Sequence, residues 1–326
     1  MKNKVIFEAG LGNKIIFIHT LIENLNINEK DKFLKVFLLN NQIDKLPYKF
    51  FSFLFLRLIL LSIISIFSKN RYIIFGLNLS DFKKFILSKI SYKLKFYSYP
   101  SVVFNGEKFL YISEQDFYRP IINKESFIKK LITNEILEKY KLEDNFNDFK
   151  LYFKREIIAL HLGSDFRNTY KRPFINNLAE ALNKIPCKNK FIFLLLGQSQ
   201  DKDTSDKFLE YVKFKEIDIK VINLISKTNL SKLIDILKSS KFLIAGDSGI
   251  RQIADFLEIN NIALFGPTSE VKNLIKPINH KRAVVRGLKC KGYFYNKCDC
   301  RQLNGYPECM LSISSENLYE KIKNFI

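Results

Sequence analysis

The stretch of the chain richest in potential chemistry is Ala245-Gly246-Asp247-Ser248-Gly249-Ile250-Arg251-Gln252-Ile253-Ala254. An apolar run ends there, three small or acidic residues turn the chain, and a helical pattern begins. The unpaired N–H groups at a helix N-terminus point outward and carry partial positive charge, so such a turn can cradle a diphosphate. Gly249 permits close approach of backbone to ligand, and Ser248 supplies a hydroxyl donor. Asp247 would repel phosphate. It suits either the N-cap of the helix or a bond to a ribose or sugar hydroxyl. Arg251 is left with two readings, a further phosphate contact or a place on the helix surface.

A second group of reactive side chains lies near the end. Cys290, Cys298, Cys300 and Cys309 are four of the five cysteines, with Arg286, Lys289, Lys291 and Lys297 nearby; the fifth, Cys187, stands alone. Four thiolates can close a tetrahedral zinc or iron site. No pair has C-x-x-C spacing, so reduced, packed thiols are the alternative, and in a reducing compartment disulfides are not expected. His19, His161 and His280 are scattered and read as core or surface residues.

These groups need a scaffold, and the hydrophobic pattern predicts one. Lys4-Val5-Ile6-Phe7-Glu8 reads as a buried strand. The glycine turn Gly10-Leu11-Gly12-Asn13 follows, then a helix with Ile15, Ile16, His19, Ile22 and Leu25 on one face. Strands are predicted at Val36–Leu39 and Tyr72–Leu77, with a helix near Phe82–Ile86. The polar segment 126–149 reads as the close of a first domain and a linker. Alternation resumes with a strand at Glu156–Leu162 and a helix opening near Pro173, where proline suits the first turn, and running through Leu178, Leu182 and Ile185. Strands follow at Phe191–Leu196 and, more weakly, Val221–Leu224. Leu230, Leu233, Ile234 and Leu237 share one helical face, before strands at Phe242–Ala245 and Ile262–Phe265. The expected fold is α/β, two Rossmann-like doubly wound domains spanning 1–152 and 153–326, with a cysteine-rich segment at 286–310.

With 326 residues, 47% of them hydrophobic, and 31 phenylalanines, the chain can fill two cores, which excludes global disorder. The net charge of +20 points to an anionic partner or to compositional drift, since the lysines form no tract. Lipid headgroups, lipopolysaccharide phosphates and nucleotide-sugars all qualify. No recognised nucleic-acid module is present, so no nucleic acid is expected as partner. The start, Met1-Lys2-Asn3-Lys4, leads into only a short apolar run, and a cytoplasmic location is expected. Phe50–Phe67 is apolar apart from Ser52, Arg57, Ser62 and Ser65, and basic residues flank it. A spanning helix would bury Arg57 and split the strands of one sheet across a bilayer. A crossover helix fits better, either docked on a membrane surface or simply buried.

Further pieces stand in order around Asp247: Gly163-Ser164, Thr169-Tyr170-Lys171-Arg172-Pro173, Gly197, Phe265-Gly266-Pro267-Thr268, and Glu308–Ser314 at the close. In order and spacing the chain resembles the bacterial heptosyltransferases of glycosyltransferase family nine, clearly from about Ile157 onward and only topologically before that. The resemblance implies a GT-B fold, with two Rossmann-like domains facing a central cleft, the acceptor held by the N-terminal one and the donor by the C-terminal one. It implies an inverting glycosyltransferase that moves heptose from ADP-heptose to the lipopolysaccharide or lipooligosaccharide core, with no cofactor required for catalysis. The implied partners are that nucleotide-sugar, a glycolipid acceptor and the anionic inner face of the inner membrane, on which the protein would sit peripherally.

Carried onto matching positions, the resemblance assigns Asp247, Ser248 and Gly249 to the donor diphosphate and heptose, and Lys171 to the phosphate charge. Thr169 lies in the same donor loop, Thr228 approaches the adenine, and Gly12 and Asn13 belong to the acceptor side. Without the resemblance, Lys171 reads as a solvated lysine at a helix start. Two positions depart from the family pattern. Asn13 stands where an aspartate is proposed as general base, and an amide takes no proton at neutral pH. Either another carboxylate serves, with Glu8 and Asp116 candidates by type alone, or the chain binds nucleotide-sugar with impaired catalysis. Gln252 stands where a histidine is usual and can still hydrogen-bond a donor oxygen. Some relatives carry similar C-terminal cysteines, and a subgroup that glycosylates autotransporter proteins binds iron through them. An autotransporter heptosyltransferase with a structural zinc or iron is therefore the other reading.

Overall fold

The structure, a computed structural model of the 326-residue chain, describes residues 155–164, 168–276, 278, 280–288, 301–303 and 305–326. It also describes residues 3–7, 15–20, 23, 43–44, 71–75, 94–97, 103–105 and 108–110. The chain divides into two compact units, Met1–Glu143 and Asp144–Ile326; the sequence placed the division at 152/153.

In the first unit, β1 (Asn3–Phe7), β2 (Ile43–Asp44), β3 (Arg71–Phe75) and β4 (Leu94–Tyr97) form a parallel sheet in the order β2-β1-β3-β4. β5 (Val103–Asn105) and β6 (Lys108–Leu110) pair antiparallel. The segment 15–20 is helical and buries Ile15, Ile16, Phe17 and Ile18. The expected strand at Val36–Leu39, the helix near Phe82–Ile86, the segments 50–67 and 126–149, and the glycine turn at Gly10–Asn13 lie outside the described residues.

Among the described residues, the second unit is built on a six-stranded sheet of β7 (Glu156–His161), β8 (Phe191–Leu195), β9 (Val221–Asn223), β10 (Ser240–Gly246), β11 (Asn261–Phe265) and β12 (Arg282–Arg286). All neighbours run parallel, in the order β12-β11-β10-β7-β8-β9. The chain thus winds outward from β7 through β8 and β9, returns to the other side of β7, and winds outward again through β11 and β12. That is the doubly wound order, and it creates a switch point between β7 and β10.

Position in the sheet explains the composition of each strand. β8 (Phe-Ile-Phe-Leu-Leu) and β11 (Asn-Ile-Ala-Leu-Phe) are buried along their whole length, because helices cover both faces of a parallel sheet and leave no polar face to alternate with. β9 and β12 are the edges and are mostly half-buried.

Among the described residues, seven helices accompany the sheet: α1 (Ile175–Asn183), α2 (Lys202–Phe214), α3 (Leu230–Ser239), α4 (Gly249–Phe256), α5 (Glu270–Asn273), α6 (Glu308–Leu311) and α7 (Ser315–Ile322). α1 turns Ile175, Leu178, Ala179 and Leu182 inward, and α3 turns Leu233, Ile234 and Leu237 inward, as their spacing predicts. α7 brings Leu318 and Ile322 back into the core that holds Phe193, Phe208 and Phe242. Pro173 precedes α1 instead of opening it: Phe174 is the cap residue and Ile175 the first helical one. Arg172 is accordingly extended (φ −68°, ψ 136°), as expected before a proline.

Among the described residues, no helix is long and apolar enough to cross a membrane.

Candidate active site

The loops and helix starts that follow the C-terminal ends of the parallel strands carry every donor-side residue singled out in the sequence. Thr169 and Lys171 form a 3-10 turn between β7 and α1. Thr228 lies between β9 and α3, next to the α3 cap Asn229. Asp247, Ser248 and Gly249 connect β10 to α4, and Gln252 is in the first turn of α4. Gly266-Pro267-Thr268 leaves β11 at the same end. Ligands of open α/β sheets settle outside the carboxyl ends of the strands at the switch point, and here β7 and β10 are adjacent strands.

Ser248, not Asp247, caps α4: its Oγ accepts from the Arg251 backbone N–H at 3.4 Å. The reading of Asp247 as N-cap is therefore replaced. Its carboxylate is buried at 7% exposure and sits between two cations. Lys171 Nζ donates to Oδ2 at 3.0 Å, Arg251 Nη2 to Oδ1 at 3.4 Å, and the Asn273 amide adds a bond to Oδ2 at 3.1 Å. Burial by itself would raise the Asp247 pKa, but Lys171 and Arg251 outweigh it and hold the carboxyl below its ordinary range. Asp247 is thus an anion that tethers Lys171 beside the α4 N-terminus.

Gly246 makes the tether possible. A Cβ there would lie 2.8 Å from the Lys171 carbonyl oxygen, so a side chain on the last residue of β10 would push the Thr169–Lys171 turn away. Gly163 has a similar reason of its own, since a Cβ would fall 1.9 Å from Asp201 Oδ1. Asp201 in turn stands 3.6 Å from His161 Nε2, both side chains buried. Lys171 is a half-buried, paired residue and not the solvated lysine allowed by the sequence.

Arg251 does not sit on the helix surface. Its side chain is 0% exposed. Nη1 donates to Asp255 Oδ2 at 2.7 Å, Nη2 also donates to the Asn273 carbonyl at 2.9 Å, and the guanidinium lies 5.4 Å from the centroid of the Phe265 ring. Asp255 collects further partners: Arg282 Nη1 at 2.9 Å, the Asn261 amide at 2.9 Å and His280 Nε2 at 3.1 Å. Burial would raise the Asp255 pKa, but the His280 bond and the Arg251 and Arg282 charges take it down to about 2. A buried line of alternating charge therefore runs Lys171–Asp247–Arg251–Asp255–Arg282. Asp255, Asn273 and Arg282 were not singled out from the sequence. Only the i, i+4 spacing of Asp247, Arg251 and Asp255 hints at it.

Ser248 and Gly249 are half-buried at the open end of α4, and Gln252 is buried beneath them. Gly12 and Asn13, and Cys290, Cys298 and Cys300, lie outside the described residues. Cys309 is buried in α6 and packs toward Gly266, whose added Cβ would be 3.3 Å from its Sγ. Among the described residues, no three histidines, cysteines or carboxylates cluster as a metal site would require.

Residues 129–303 match the profile of glycosyltransferase family 9 (heptosyltransferase), more than half of the chain. The chain belongs to this family. Lipooligosaccharide heptosyltransferase 2 of Haemophilus influenzae is 25% identical over 175 residues, which are 53% of this chain and 48% of that one. The family 9 chain thus spans about half the length of the curated relatives it matches. Two solved structures share its fold. The Escherichia coli ADP-heptose lps heptosyltransferase II superposes with a TM-score of 0.62 at 16% identity, over 100% of this chain and 98% of that one. The E. coli heptosyltransferase WaaC with ADP gives 0.56 at 12% identity, over 100% of both. The GT-B class expected from the sequence is the fold of the family 9 chain.

Proposed function

We propose that the protein transfers a sugar, heptose, with inversion, from an ADP-activated donor to the lipopolysaccharide or lipooligosaccharide core. In this reading the second unit holds the donor and the first the acceptor. The supporting observation is the Lys171–Asp247 pair at 3.0 Å beside the N-terminus of α4. An ammonium and a set of unpaired N–H groups converge there on the switch point of the sheet, the arrangement that suits a departing diphosphate. Asp247 would accept bonds from heptose hydroxyls, Ser248 and Gly249 would meet the diphosphate, and Thr169, Thr228 and Gln252 would line the same pocket. The acceptor hydroxyl gives its proton to a carboxylate, Glu8 or Asp116 by residue type, as its oxygen attacks the anomeric carbon; the bond from that carbon to the phosphate oxygen breaks, and ADP leaves with its new charge facing Lys171. The solved relative named for ADP-heptose, and the one solved with ADP, support the choice of nucleotide.

The first test is binding. ADP or ADP-heptose at 100 times its dissociation constant should add about 2.7 kcal/mol of stability, read as a rise in melting temperature. No shift with any nucleoside diphosphate would end this reading. Asn13 favours a second version, in which the donor binds but turnover is impaired. Donor binding without transfer to purified core oligosaccharide, together with rates recovered in Asn13→Asp, would select it; equal rates in both proteins would remove it.

A further inference from the structure

The donor reading leaves Arg251 unexplained: a fully buried cation in the first turn of α4 that touches no solvent. We propose that Arg251 is a positioning residue of the donor site, a fixed counter-charge that keeps the Asp247 carboxylate paired when Lys171 turns to the donor diphosphate. The inference rests on that donor reading.

The two cations around Asp247 differ in freedom. Lys171 reaches it from a 3-10 turn with a side chain 20% exposed, so its ammonium can swing toward an anion arriving from solvent. Arg251 is locked. Asp255 holds Nη1, the Asn273 carbonyl holds Nη2, and the Phe265 ring lies against the guanidinium. It cannot reach a phosphate without abandoning a buried carboxylate. If Lys171 were the sole partner of Asp247, its departure would strand a buried anion facing a diphosphate, which is strongly unfavourable. With Arg251 behind it and the Asn273 amide beside it, Asp247 stays ionised and stays put, and Lys171 is free to bind the donor.

ADP-ribose is a suitable probe, because both its phosphates are esterified and neither titrates between about pH 5 and 8. Affinity is measured by calorimetry across that range for the wild type, Arg251→Met and Arg251→Lys, with melts to confirm folding. The groups facing Asp247 are Lys171, Arg251, Asn273 and the Thr268 hydroxyl. His280 faces Asp255, so the profile is repeated in His280→Gln to remove its own titration. The wild type should bind with flat pH dependence. Arg251→Met should bind about tenfold more weakly at pH 8, within the usual range for coupling between groups. That loss should shrink toward pH 5, as Asp247 takes a proton and releases Lys171. Arg251→Lys should restore the flat profile and most of the affinity.

An Arg251→Met loss of the same size at every pH would mark the residue as packing only and overturn the proposal. So would wild-type affinity that tightens on acidification, a result that needs no variant to fold. Wild type that binds no adenosine diphosphate compound at any pH would overturn the donor reading itself, and the inference with it.

Discussion

Asp255 has four side-chain partners, and its charge is a stability term. Its pKa of about 2 lies below the ordinary 3.8 of an aspartate. Because the folded value is the lower one, the stabilisation is complete above about pH 4 and is lost as the pH falls toward 2. For this one group the loss is about 2 kcal/mol. Denaturant melts between pH 5 and 2.5 should show it. In Asp255→Asn, already destabilised by the stranded Arg251 and Arg282, the corresponding part of the acid dependence should be missing. An unchanged acid dependence in Asp255→Asn would mean that the carboxylate is not held as described.

At the scale of elements, glycines decide how closely the strand ends can be approached. In Gly246→Ala the new methyl meets the Lys171 carbonyl at 2.8 Å, and the Thr169–Lys171 turn must shift by a few tenths of an ångström. The expected result is a raised KM for the donor with a stability loss of about 1 kcal/mol. Gly287→Ala is the contrast, since its methyl would overlap the Cys309 carbonyl at 1.6 Å. It should cost more stability and leave the donor KM alone. Kinetics and melts of the two variants side by side separate a site effect from a packing effect.

The central strands were legible because burial on both faces writes an unbroken apolar run. β12 was not, because the edge strand Arg282–Arg286 has only Ala283, Val284 and Val285 between two arginines, too short an apolar run to stand out. α2 was missed because it buries only a few residues, among them Phe208 and Val212, and spends its outer face on the i, i+4 pairs Lys202–Asp206 and Asp203–Lys207.

For the whole molecule the dominant number is the net charge of +20. A surface that basic should draw the protein to vesicles of phosphatidylglycerol and phosphatidylethanolamine at low salt. It should release it near about 0.5 M salt, where the screening length falls below about 5 Å. Co-sedimentation across a salt series checks this. Binding that persists at high salt would show that apolar contact, with Phe50–Phe67 the first candidate, carries the association instead of charge.

Much of this protein is written along the chain. Runs such as Phe191–Leu195 read as buried strands, and the small and polar residues Gly246–Ser248 at the end of an apolar strand mark a turn into a helix, so the alternation, the β10–α4 turn and the family resemblance were all legible from neighbours in sequence. What the tertiary structure alone decided is the company each charge keeps. Lys171 and Asp247 are 76 residues apart, and Arg282 is 27 residues from Asp255. Winding β10 back beside β7, and β12 beside β11, is what brings them within hydrogen-bond reach. Local pattern records which face of an element is apolar. It carries no trace of which distant charge will be folded against it, because that depends on strand order, and strand order is a property of the assembled sheet.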